Sequence, residues 1–166
     1  MTTSDLDRLA DLRAAYSTLG GRVAAGEPWR LATSFGTEPE ASWGPREVLT
    51  HVSEMLPFWL GEMERVVDGD GVTAVRFGRG SDDPLRVGLI ARDRTLPVRV
   101  LFNRIDRGLM AWMDRLASLT NVELGKSGVH PRFGLMPVSA MAERFVIGHA
   151  EDHASQLEGI LAAGGG

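Results

Sequence analysis

Three of the four histidines in this sequence, His51, His149 and His153, have a spacing that suits metal chemistry. His149 and His153 stand four residues apart, so on an α-helix both rings lie on one face, separated by about 6 Å along the axis. Two imidazole nitrogens hold a divalent transition ion poorly. A third, from His51 on a neighbouring helix, makes a three-histidine set. Such a set leaves coordination positions open for water or substrate, the arrangement of catalytic rather than purely structural zinc. An ion held in this way lowers the pKa of water from about 15.7 to about 7, which supplies a nucleophile at neutral pH without a side-chain base.

Other metal arrangements fail on the residues themselves. His-Glu-x-x-His is absent because Ala150 follows His149, and no glutamate stands three residues before any histidine, as di-iron bundles require. The chain has no cysteine, which excludes disulfides, a cysteine nucleophile and thiolate ligands. Glu62 shares a face with His51 but lies about 16 Å further along the helix, too far to bind the same ion. Glu47, one turn before His51, and Asp152 are near enough to accept an imidazole N–H. Each is more often a solvated helix carboxylate. His130 falls between Gly128 and Gly134 in a segment that Gly and Pro131 hold out of helical conformation. It reads as a solvated loop residue more readily than as a proton shuttle at a pocket mouth.

The elements that must position the histidines are helices. Helical periodicity runs through residues 4–23, 45–67, 97–119 and 139–161. The first carries Leu6, Leu9, Leu12, Ala15 and Leu19 on one stripe, and the third carries Leu101, Ile105, Leu109, Trp112 and Leu116. On the second, His51 shares its stripe with Val48, Met55 and Phe58; on the fourth, both histidines fall beside Phe145, Ala142 and Ile160. All three rings therefore face the core, where an unsatisfied imidazole costs roughly 1–3 kcal/mol and a shared ion would satisfy every ring. The bland alternative is that each ring is simply hydrogen-bonded within the core. Pro57 predicts a kink in the second helix. The connections at residues 24–43 and 68–96 are long, which permits a crossover within the bundle, and residues 72–77 could form a brief extended piece. The expected fold is an all-α four-helix bundle with long connections between helices 1 and 2 and helices 2 and 3. It forms a single domain over residues 1–162, with a fraying tail at 163–166.

Composition narrows the function. Forty-three per cent hydrophobic and 24% charged residues are ordinary for a globular domain, and no apolar run is long enough to span a bilayer. A net charge of −4 with no basic cluster argues against a nucleic-acid partner. The acidic, polar start of the chain is unlike a secretory signal, so the cytoplasm is the expected compartment.

These motifs together resemble the DinB/YfiT-like metalloenzymes. Trp43, Pro45, Glu47, Leu49 and His51 match the Trp-x-Pro-x-Glu-x-Leu-x-His opening of that family's second helix. His130, Pro131 and Gly134 match its His-Pro-x-x-Gly segment, and His149, His153 and Gln156 match its His-x-x-x-His-x-x-Gln helix. Arg92, Asp93 and Arg94 fit the opening of a long third helix. Pro137 departs from the pattern, standing where the family opens its last helix with Ser or Thr. The resemblance covers residues 43–160. It implies a four-helix bundle that binds a divalent ion, often zinc or nickel, through His51, His149 and His153, and that is frequently a dimer. It also implies a bacterial metalloenzyme acting on a small molecule, either as a hydrolase or as an S-transferase or isomerase that uses an external low-molecular-weight thiol. A non-catalytic metal- or ligand-binding bundle and a structural protein with satisfied core histidines stand as the alternatives.

Overall fold

The computed structural model describes residues 3–33 and 42–164. In chain order its elements are α1 (Thr3–Ala25), α2 (Pro45–Val67), β1 (Val75–Arg76), α3 (Pro84–Asp93), α4 (Val98–Ser118), α5 (Asn121–Gly125), β2 (Ser127–His130), β3 (Gly134–Pro137), α6 (Val138–Ala142) and α7 (Gly148–Ala163). A π-helical turn, Glu143–Ile147, joins α6 to α7 in one long rod. The four long helices are α1, α2, α4 and this rod, and their ends fall within two residues of the periodicity limits. Among the described residues no helix is long and apolar enough to cross a membrane.

The bundle closes in a ring ordered α1, α4, α2, α7, with each helix packed against its two ring neighbours. The sequential helices α1 and α2 thus sit on a diagonal, which is the crossover that a long connection permits. Apolar stripes at three- and four-residue spacing drive the closure: Leu9, Leu12, Tyr16, Leu19 and Val23 on α1 meet Leu101, Ile105, Leu109, Trp112 and Leu116 on α4. Two buried polar tips tie the layers together. The Tyr16 hydroxyl donates to the Ala150 carbonyl at 2.9 Å, and Trp112 Nε1 donates to the Leu56 carbonyl at 2.9 Å. Helix α2 is buried on nearly every side from Val48 to Leu56, because α3, α4 and α7 all pack on it. It remains one continuous helix through Pro57.

The connections hold more structure than periodicity indicates. Residues 68–96 contain β1 and the helix α3, which Asp83 opens by accepting the Arg86 amide, with Pro84 in the first turn. Arg92, Asp93 and Arg94 therefore close α3 and do not open the next long helix, which starts at Val98. Residues 127–137 form a hairpin, with β2 antiparallel to β3 and parallel to β1. Gly134 takes up the positive φ of 73° that this turn requires. Pro137 is the residue that caps α6, extended at ψ 156°, so the departure from the family pattern leaves the helix start intact. Of the expected tail, Ala163 is still helical, and residues 165–166 lie outside the described residues, as does part of the 24–43 connection.

Candidate metal centre

Helix α2 brings His51, and the first two turns of α7 bring His149 and His153, to one point inside the bundle. The His149 Nε2 stands 2.9 Å from His153 Nε2 and 3.4 Å from His51 Nε2. All three ligand atoms lie within 4.8 Å of one another. Nitrogens bound to one ion at about 2.1 Å stand about 3.0 Å apart at right angles and about 3.4 Å apart at the tetrahedral angle. The donor set therefore fits a single divalent ion.

The far side of each ring is held as well. His51 Nδ1 donates to Glu54 Oε1 at 2.9 Å, and His153 Nδ1 donates to Gln156 Oε1 at 2.8 Å. His149 forms a hydrogen bond with the Phe145 main chain, a residue of the π-helical turn, where the regular helical hydrogen-bond register is interrupted. With the protons on these outer atoms, three bare Nε2 lone pairs converge, an arrangement that repels itself unless a cation lies between them. Proton binding does not relieve it easily. Burial first, then His153, Arg86, His149 and Arg79, push the His51 pKa well below the ordinary histidine value. Burial, His153 and Arg86 push His149 down to about 3.

His51 and His149 open on a cavity of about 550 Å³. One wall is a run of packed rings. Trp59 lies on Phe145 at 4.2 Å and 11°, Phe145 on His130 at 5.0 Å, and His130 on Phe133 at 4.9 Å. Arg79, Arg86 and Arg132 line the rest, and no carboxylate does among the described residues. Arg79 is anchored by Glu54 Oε2 at 2.5 Å, so Glu54 bridges the His51 ring and this guanidinium. Burial raises the Glu54 pKa, while Arg79 acts against that rise.

Comparison with family models gives no match to this sequence, and no match is found among curated proteins. A solved structure does match. It is YfiT from Bacillus subtilis, described as a probable metal-dependent hydrolase with an unusual four-helix bundle topology; the TM-score is 0.63 at 10% identity, over 98% of this chain and 89% of that one. This chain has the YfiT fold. The bundle that the sequence motifs implied is thus present, with the three histidines gathered at one point in it.

Several expectations at the site are corrected. Glu47 does not reach His51. It is wholly buried, accepts from the Ala32 and Gly44 amides and pairs with Arg94 at 3.0 Å, closing the start of α2. Asp152 is exposed, the solvated helix carboxylate that its position suggested, and Glu62, as its distance along the helix required, serves elsewhere and accepts from the Gly78 amide. His130 is no solvated loop residue. Only 5% exposed, it ends β2, and its Nδ1 accepts from the Arg132 and Phe133 amides, which leaves the ring proton on Nε2. Glu54, Arg79 and Arg86 were not singled out from sequence. For Glu54 a signal existed: His51 and Glu54 repeat the i, i+3 spacing of His153 and Gln156. The two arginines sit in and beyond a loop, where periodicity says nothing.

Proposed function

We propose that this protein is a divalent-metal-dependent enzyme of hydrolytic type, with zinc or nickel held by His51, His149 and His153. One observation carries the reading: three Nε2 atoms converge, each ring fixed from behind, at the edge of a 550 Å³ cavity. A closed structural site would have no such opening. When bound, the ion supplies Lewis acidity and acidifies water. The description of YfiT as a probable metal-dependent hydrolase supports the same direction.

The chain's own residues supply the rest. Glu54 and Gln156 keep the His51 and His153 rings in the tautomer that presents Nε2. Arg79 and Arg86 line the same cavity and place positive charge where an oxygen gains negative charge as an acyl bond is cleaved. His130 offers a neutral Nε2–H donor, since burial followed by Arg144 and Arg132 lowers its pKa. The aromatic wall keeps one side of the cavity dry and suits a small molecule.

The test is metal analysis of untagged protein, followed by a panel of small esters with zinc or nickel added after chelation. Metal-dependent turnover with a bound ion near one per chain is the expected result. Protein that takes up no ion, or that holds it without turnover on any ester, defeats the hydrolytic reading. A low-molecular-weight thiol is the alternative nucleophile for an ion with open positions. It must come from outside because the chain has no cysteine, and running the panel with and without thiol separates the two.

A further inference from the structure

We infer that the cavity beside the three histidines selects a small anionic molecule with an apolar or aromatic body. This deepens the reading above and rests on the same cavity. The chain as a whole is acidic, with a net charge of −4, yet three arginines line this cavity and no carboxylate does among the described residues. Glu54 and Asp83 pair with Arg79 at 2.5 Å and 4.0 Å without lining the cavity, so the charged side chains that meet the cavity itself are guanidiniums, among the described residues. Arg86, 4% exposed, lines the same cavity as His51 and His149. Arg144 extends the positive edge outward, lying 3.9 Å over the Phe133 ring.

Charge balance points the same way. Three neutral imidazoles would leave a divalent ion its full charge; Glu54 and Asp83 offset Arg79, and Arg86 and Arg132 line the same cavity. An anion entering the cavity offsets the ion and these guanidiniums, and the low-dielectric aromatic wall strengthens the attraction. The body of the ligand is set by that wall. Trp59, Phe145 and Phe133 present carbon where a strongly polar group would lose its water without return. A cation meets like charge from the arginines, whereas an aryl or alkyl acid meets both the guanidiniums and the carbon wall.

Calorimetric titration with four simple probes tests this on the full chain, both metal-free and zinc-loaded. The probes are benzenesulfonate, its neutral analogue methyl phenyl sulfone, methanesulfonate, and the cation phenethylammonium. Sulfonates are poor metal ligands, so binding to the metal-free form reports the arginines and the wall. Benzenesulfonate should bind about tenfold or more tightly than each of the other three, and should weaken on added salt and in Arg86→Gln. Arg132→Ala, an exposed position, gives the same direction with a smaller loss if the buried variant does not fold. Equal or better binding of the sulfone or the cation overturns the inference, as does absence of benzenesulfonate binding at millimolar concentration. Selective binding without ester turnover leaves the ligand class standing and sinks the hydrolytic reading. Turnover with equal kcat/KM for neutral and anionic esters does the reverse.

Discussion

Each histidine in the cluster is held by an outer hydrogen bond and turns its Nε2 to the shared point, and the two roles can be measured apart. His51→Ala, His149→Ala and His153→Ala each remove one of the three Nε2 donors, so bound metal should fall well below one per chain in each variant; full occupancy in any one removes that residue from the set. Glu54→Gln is subtler, because it keeps the shape but weakens the acceptor behind His51 and the partner of Arg79. A loss of about 10-fold or more in zinc affinity, with unchanged helical circular dichroism, is expected for such an outer contact. Protonation is the third handle. The folded-state pKa of His51 is far below its unfolded value, and that of His149 falls to about 3, so the unfolded chain binds more protons below pH ~6.5. The metal-free protein should thus be most stable above that pH and lose stability as pH falls from there towards about 3. Proton competition with the ion in the folded protein should set in only well below the ordinary histidine value, because the buried rings resist protonation. A denaturation midpoint that is flat from pH 7 to pH 4 would show that the rings are solvated.

Helices α1, α2, α4 and α7 were legible in the sequence because each buries one stripe, and a 3.6-residue period survives in a single chain without any knowledge of partners. His51, His149 and His153 were legible for the same reason, being inward residues on regular helices. What escaped was set by contacts remote in sequence. Strand β2 is four residues long, and its inward His130 is defined by Phe77, Phe133 and Phe145, none of which announces itself next to a Gly and a Pro. The Asp83-Pro84 start of α3 was a readable cap, masked by the expectation of one long loop. Gly78, in the loop between β1 and α3, shows how tightly these small elements fit. It holds φ at +92°, and an added Cβ would stand 2.4 Å from His130 Cδ2. Gly78→Ala should cost about 1–3 kcal/mol through the backbone alone, and should displace His130 from the cavity wall. A denaturant midpoint equal to that of the parent protein would show that the loop gives way freely.

At the scale of the molecule the question is whether the ion makes the fold or the fold makes the site. Leu9, Leu12, Leu19, Leu101, Ile105, Leu109 and Leu116 are buried in the seam between α1 and α4, which holds none of the three histidines. Burying a large aliphatic side chain contributes about 1.5–3 kcal/mol, so this seam alone is a substantial share of the core. Tyr16 then fastens α1 to α7 through a main-chain carbonyl, again without a metal. Small zinc domains unfold when stripped because they have no comparable core. Here chelation should leave the helical circular dichroism largely intact. The loss should be that of a ligand bound to the native state, about 3 kcal/mol at a hundredfold excess over Kd, which lowers Tm by about 5–10 °C in a chain of this size. Activity on the substrate should vanish with the ion and return when it is restored. A chain that unfolds on chelation would mean that the three rings are a staple, and the open cavity beside them would lose its claim to be a catalytic one.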